Sequence, residues 1–289
     1  MKVVAFGSVR GAPGVTTTAT LIAGALPDAA VVVVSGVSGV EVGTEKAWEV
    51  CDRLHLPRLI FVGQMDKEHA NFERVFADVK AHLSPKVLPV EVPIGEGSTF
   101  RGIVNLFSGK SHIYKPGTKS GEYDEVEVPA EHQAEVKKYS DLLIETVAAT
   151  DDALIERYLG GEEIPREEVI AALKTAVAAG SIVPLFVGSA TLTFGMRALL
   201  TKMVEIFPAA ADVPPPVGAP LLGRVFKTTS EPHVGDVTLF RLYAGTLKNG
   251  ADVWNAEHEV AEKLNHLSVQ QGRERTEVGV LHAGDIGSV

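Results

Sequence analysis

The sequence predicts an α/β protein: a doubly wound, mainly parallel sheet carrying an α/β insertion, followed by an incomplete β-barrel. Three observations predict it. Short β-branched runs such as Val31-Val32-Val33-Val34 alternate with helix-like segments over residues 1–208, the pattern of a parallel sheet with covering helices. Residues 209–220 shift to Ala, Pro and Gly, which marks a linker. From Leu221 onward short alternating strands replace helices, with turns at His233-Val234-Gly235-Asp236, Lys248-Asn249-Gly250 and Ala283-Gly284-Asp285.

The elements follow in order. Lys2–Gly7, Ala29–Ser35, Leu59–Gly63 and Ile182–Val187 read as strands, because each is a short apolar run ended by small or polar residues. Thr16–Leu26 reads as a helix. So does Thr44–Leu54, capped by Thr44, with Ala47, Cys51 and Leu54 on one face. The insertion spans about 87–180. Val87–Tyr114 divides into short strands at Gly95-Glu96-Gly97 and Ser108-Gly109, and the acidic run Glu122–Glu127 reads as an exposed loop. Glu131–Tyr158 is largely helical; Pro165–Ala179 is a further helix with Pro at its start and Gly180 past its end. Met196–Phe207 is the helix after the last strand. Trp48 and Trp254 read as packing residues, and Glu41, Glu45 and Glu49 as a solvated helix face.

Composition narrows the function. With 289 residues, 45% hydrophobic and 22% charged, the chain can bury two cores. Its net charge of −10 is the wrong sign for a protein that grips naked DNA, so no direct DNA binding is expected. A single cysteine, Cys51, excludes an intrachain disulfide and a four-cysteine metal site and suits a reducing compartment. No apolar run is long enough to cross a bilayer, and Met1–Phe6 is too short for a signal peptide; a cytoplasmic protein without a membrane partner is expected. The histidines are scattered without metal-ligand spacing.

Asp66 carries the most chemistry. A carboxylate at a strand end can accept from both the ring N–H and the exocyclic amine of guanine, and adenine offers no such pair. An Asp in that position alone is more commonly a turn or cap residue. Its context is Phe61-Val62-Gly63-Gln64-Met65-Asp66, in the place of the Asn-Lys-x-Asp motif of GTP-binding domains. Ser189-Ala190 follows the last strand, where such domains aim a backbone N–H at guanine O6.

From about Ala29 onward the sequence resembles elongation factor G, particularly its divergent elongation-factor-G-like paralogues. The resemblance rests on Val32–Glu41, Gln64-Met65-Asp66, Pro93-Ile94-Gly95, Phe100–Val104, Glu156–Leu159, Val187–Ala190 and Tyr243–Lys248, and on the insertion itself. It covers roughly nine-tenths of the chain and implies a P-loop NTPase-type fold, with a GTP-binding domain over 1–208, a linker over 209–220 and the N-terminal part of the domain II barrel over 221–289. It further implies GTP/GDP and magnesium as cofactors and the ribosome as partner. Gln64, Asp66, Ser189 and Ala190 are the implied base-contacting residues.

The departures lie at the phosphate end. Gly63 and Gln64 replace the motif's Asn and Lys. Arg10-Gly11-Ala12-Pro13-Gly14-Val15-Thr16-Thr17 is spaced like the deviant loop of MinD/ParA-type ATPases, with Val15 in the position of the central Lys. Gly11, Gly14, Thr16, Thr17 and the helix start keep the makings of a weak anion nest, with Thr16 as the magnesium hydroxyl. A plain Gly/Pro-rich strand-to-helix turn accounts for the same residues equally well. Neither a switch I threonine segment nor Asp-x-Pro-Gly occurs, so the first 27 or so residues read as a different P-loop start joined near Leu26–Asp28. Three readings remain: a weakly active or inactive elongation-factor-G-type GTP-binding protein, a non-enzymatic ribosome-associated or inert scaffold, and a MinD/ParA-like ATPase. The open barrel is expected to leave Val225, Leu239, Leu242 and Val253 poorly covered.

Overall fold

A computed structural model describes residues 3–7, 29–118, 121–207, 220–231, 235–256, 258–271 and 274–289. The expected helix Thr16–Leu26, the linker 209–219 and the turn residues His233 and Val234 lie outside them. The described residues fall into two compact units, 3–7 with 29–207, and 220–289.

In the first unit β1 (Val3–Gly7), β2 (Ala29–Ser35), β3 (Arg58–Gly63), β9 (Val183–Val187) and β4 (Val87–Pro89) form one parallel sheet in the order β1-β2-β3-β9-β4. Val31, Val32, Val34, Leu59, Ile60, Val62, Leu185 and Phe186 are all buried. Burial on both faces explains why these strands read as continuous apolar runs rather than alternating ones.

Helix α1 (Val42–Arg53) begins earlier than the sequence suggested. Glu41 is its cap, and Thr44 acts from the third helical position, its Oγ1 accepting from the Glu41 N–H at 3.3 Å. Trp48 and Cys51 face the core, and burial pushes the Cys51 thiol up to about 11. The Arg58 guanidinium lies 4.4 Å over the Trp48 ring. Helix α2 (Phe72–His82) was not foreseen: Asn71 caps it, its side chain accepting from the Arg74 N–H at 2.8 Å, while Phe72, Val75 and Val79 turn inward.

The insertion is continuous with the central sheet. Strand β4 pairs with β9, and the Val90 N–H then donates to the Leu185 carbonyl at 3.0 Å. The chain next enters a four-stranded antiparallel sheet, β5 (Glu91–Ile94), β6 (Gly102–Asn105), β7 (Lys110–Tyr114) and β8 (Tyr123–Glu127). Strand β8 corrects the expected exposed loop over Glu122–Glu127. Beyond the half-buried Tyr123, which stacks on His112, its side chains are exposed, yet Lys115 meets Asp124 at 2.7 Å and Lys110 meets Glu127 across the β7–β8 pair, so charge pairing supports an edge strand that no apolar alternation announces.

The long helical stretch after it divides into α3 (Gln133–Ala148) and α4 (Asp152–Leu159). Asp151 breaks it, its carboxylate accepting from the N–H groups of Ala153 and Leu154 at 3.0 Å each. Helix α5 (Arg166–Ala178) starts after Pro165 and ends before Gly180, whose φ of 66° suits glycine. Helix α6 (Met196–Ile206) follows β9.

In the second unit β10 (Leu222–Glu231), β11 (Gly235–Ala244), β18 (Ile286–Ser288), β15 (Ser268–Gln271) and β16 (Glu274–Glu277) form an antiparallel sheet in that order. Two further pairs join β12 (Thr246–Lys248) to β17 (Val280–His282) and β13 (Ala251–Asn255) to β14 (Val260–Leu264). Among the described residues no closed barrel forms, and β10 and β16 are edges. Leu242 corrects the expectation of poor cover: it joins Phe240, Leu247, Leu267 and Leu281 in a small core, whereas Val225 is exposed. Trp254 is 65% exposed on the β13–β14 hairpin and is not a packing residue.

Glu91, at the start of β5, is only 1% exposed, and among the described residues neither carboxylate oxygen has a hydrogen bond of good geometry, the Val187 backbone N–H giving a weak one at most. Burial pushes its pKa up to about 8; the Val187 backbone and the Lys202 ammonium oppose this only in part. The folded state therefore holds the neutral acid, whose ordinary value is 4.5. Its stabilising contribution is complete below the ordinary value and is lost as pH rises through about 8. Urea unfolding at pH 5 and at pH 8.5 measures the effect. Glu91→Gln is expected to reduce the loss between the two by about 1–3 kcal/mol, and an unchanged difference contradicts the burial account.

Candidate functional site at the strand ends

Strands β2, β3 and β9 are adjacent and parallel, so their C-terminal ends deliver three loops to one edge of the sheet, where open α/β sheets take their ligands. The loops are tied by backbone hydrogen bonds. The Gly36 N–H donates to the Gly63 carbonyl at 2.8 Å, the Gly188 N–H to Val62 at 2.9 Å, and the Met65 N–H to Gly188 at 3.2 Å. A Cβ on Gly36 would stand 2.9 Å from both the Gly63 oxygen and the Met65 sulfur, so this approach requires glycine.

Ser35 organises the first two loops. Its Oγ accepts from the N–H groups of Val37 and Ser38, both at 3.1 Å, and donates to Gln64 Oε1 at 2.8 Å. Gln64 is exposed with a φ of 62°, a left-handed conformation that non-glycine residues adopt at a cost of about 1 kcal/mol. Helix α2 holds the first loop from behind. Asn71 N–H donates to the Gly36 carbonyl at 3.0 Å, Asp78 Oδ2 accepts from the Val40 N–H at 2.7 Å, and Arg74 donates to the Val37 carbonyl.

Asp66 stands beyond Gln64 with its side chain 12% exposed. Its Oδ2 is 3.6 Å from the Lys67 ammonium. Its Oδ1 is buried and has no hydrogen-bond partner among the described residues. A buried acceptor left unmet costs about 1–3 kcal/mol, so this oxygen is set up for a donor that the described residues do not supply.

On the third loop Ser189 is fully buried. Its N–H donates to the Phe194 carbonyl at 2.9 Å and its Oγ accepts from the Leu192 N–H at 3.1 Å. Ala190 is exposed, and among the described residues no hydrogen bond engages its N–H. The structure thus brings Gln64, Asp66, Ser189 and Ala190 to neighbouring loops. Gly11, Gly14, Thr16 and Thr17 lie outside the described residues, although the strand leading toward them, β1, pairs with β2 through Gly7 and Val33. The supporting roles of Ser35, Asn71, Arg74 and Asp78 had no signal in the sequence beyond the capping preference of Asn.

Residues 16–209 match the Elongation factor Tu GTP binding domain family, and residues 220–289 match Elongation factor G domain 2. The chain belongs to the elongation-factor-G-like family of translation GTPases. The crystal structure of ttk003000868 from Thermus thermophilus is similar, with a TM-score of 0.82 and 34% sequence identity over 93% of this chain. The match covers 39% of that structure's own length. The first matched segment takes in residues 29–207 of the first unit, and the second coincides with the second unit, 220–289.

Ser35→Ala removes an acceptor for two backbone N–H groups and the donor to Gln64. It is expected to cost about 1–2 kcal/mol in urea unfolding and to speed amide exchange at Val37 and Ser38. Unchanged exchange at both amides contradicts the assigned role.

Proposed function

We propose that this chain is an elongation-factor-G-type protein that recognises the base of GTP or GDP, with weak or no hydrolysis. The observation that carries the reading is the buried Oδ1 of Asp66, which has no hydrogen-bond partner among the described residues. Guanine presents a ring N–H and an exocyclic amine side by side, and a carboxylate can accept both in a charge-assisted pair. The Ala190 N–H supplies the complementary donor for guanine O6. Gln64 covers part of the base without a charge.

At the phosphate end the reading is one of binding rather than turnover. Val15 replaces the Lys that would meet the β- and γ-phosphates, and no switch I threonine or Asp-x-Pro-Gly segment is present to position water. Thr16 offers a magnesium ligand, but the Asp-x-Pro-Gly segment that would bring a carboxylate to it is absent, so the donor set does not fit a complete magnesium site. Among the described residues no group of three His, Cys, Asp or Glu could hold a metal.

We assign the guanine-nucleotide domain to 1–208 with its insertion at about 87–180, the linker to 209–220 and part of barrel domain II to 221–289. The ribosome is the partner that family membership supports. A cytoplasmic place of work is the one that this family membership supports; among the described residues no helix is long and apolar enough to cross a membrane. Val15 favours one second reading, a ribosome-associated scaffold that hydrolyses nothing. Asp66 and Ser189-Ala190 speak against a MinD/ParA-like ATPase.

Competition with a fluorescent GDP tests the assignment. Asp66→Asn presents one acceptor and one amide donor, so it is expected to weaken GDP at least tenfold while gaining affinity for the xanthine analogue, whose 2-oxygen accepts the new donor. An Asp66→Asn protein that keeps its GDP affinity contradicts the assignment.

A further inference from the structure

The insertion reaches both loops assigned to the base. At the second loop, the Gly97 N–H donates to the Met65 carbonyl at 2.8 Å, beside Asp66. Glu96 completes this junction: its Oε1 accepts from the Phe72 N–H at 2.5 Å and its Oε2 from the Asn71 amide at 3.4 Å. One side chain therefore satisfies a free N–H at the start of α2 and grips the residue whose own N–H holds the Gly36 carbonyl.

At the third loop the contact comes from β7 and the turn after it. The Tyr114 hydroxyl accepts from the Gly195 N–H at 2.9 Å in a buried position, and its ring stacks on Phe194 at 4.5 Å and 13°. Thr193 has a φ of 62°, and its hydroxyl, which donates to the Leu192 carbonyl at 2.6 Å, lies 3.4 Å from the Thr118 carbonyl. A Cβ on Gly121 would stand 2.4 Å from the Thr193 carbonyl oxygen, so the insertion presses on this turn as closely as backbone allows. Burial keeps the Tyr114 phenol un-ionised, well above its ordinary value. The whole insertion is anchored to the central sheet by the β4–β9 pairing, so these contacts act from a fixed support.

We propose that Glu96 and Tyr114 are positioning residues for guanine recognition, the first holding the Asp66 loop and the second the Ser189–Ala190 loop, so that the insertion sets the fit of the base. The proposal rests on the guanine reading above. It makes the two residues separable, because the two loops read different atoms. Asp66 accepts from the 2-amino group, which inosine lacks, whereas the Ala190 N–H meets O6, which guanine and inosine share. Loosening the Asp66 loop erodes the preference for GDP over IDP; loosening the other loop weakens both ligands alike.

The test combines GDP and IDP affinities with segment-resolved hydrogen exchange on the nucleotide-free full chain. Glu96→Ala is expected to speed exchange over residues 65–72 and to lower the GDP-to-IDP preference roughly three- to tenfold, the worth of one hydrogen bond. Glu96→Gln, which keeps an acceptor oxygen for the Phe72 N–H, is expected to restore both. Tyr114→Phe keeps the ring and loses the hydroxyl. It is expected to speed exchange over residues 189–195 and to weaken GDP and IDP equally, by roughly the same factor, with the preference intact. A purely structural role predicts the same preference in every variant. Unchanged exchange and affinities in both variants, with GDP bound by the unmodified protein, overturn the bracing. An unmodified protein that binds neither GDP nor IDP overturns the guanine reading on which it rests.

Discussion

The site depends on one backbone constraint: the close approach of the loops that leave β2, β3 and β9. The Gly36 N–H meets the Gly63 carbonyl, and the Met65 N–H meets Gly188, so three strand ends are joined before any side chain is placed. Glycine at position 36 is the condition for that approach, since any side chain there collides with backbone and with the Met65 sulfur. The positive φ of Gln64 follows from it, because the chain must turn sharply after β3 to bring Met65 inward and Asp66 to the rim. The parallel sheet beneath is close-packed on both faces and supplies the rigidity that a recognition site needs.

That rigidity is shared with the insertion. Pairing of β4 with β9 makes the insertion an extension of the sheet, and the cost of the arrangement shows in Glu91, a carboxyl held in its neutral form where β5 begins. Strand ends, α2 and the insertion thus form one mechanical unit within residues 29–207. The β-rich unit over 220–289 is built on another scale, with a core of a few large side chains and two sheet edges among its described residues. The family match assigns it to Elongation factor G domain 2.

Much of this was legible in the sequence. The central strands announced themselves because a doubly covered strand must be apolar throughout, and Asp66 was marked by its place after such a strand. Elements whose stability comes from polar pairing were not legible: β8 is held by cross-strand charges, and α1 begins at a Glu that caps in partnership with Thr44 rather than at Thr44 itself. The union of β4 with β9 joins residues about a hundred positions apart, and no local pattern encodes such a pairing. Glu96 and Tyr114 are unremarkable in sequence for the same reason, since each acts on a loop distant along the chain. Trp254, read as packing from its residue type alone, lies exposed because the two-stranded hairpin that carries it offers no covering face.

The proposed guanine site turns on the Asp66 oxygen that has no partner among the described residues. Calorimetric titration of the unmodified full chain with GDP and with ADP, under identical salt and magnesium, tests it most directly. The account predicts that GDP binds at least tenfold tighter than ADP, because adenine offers no paired donors to a single carboxylate. Equal affinity for the two nucleotides would contradict it.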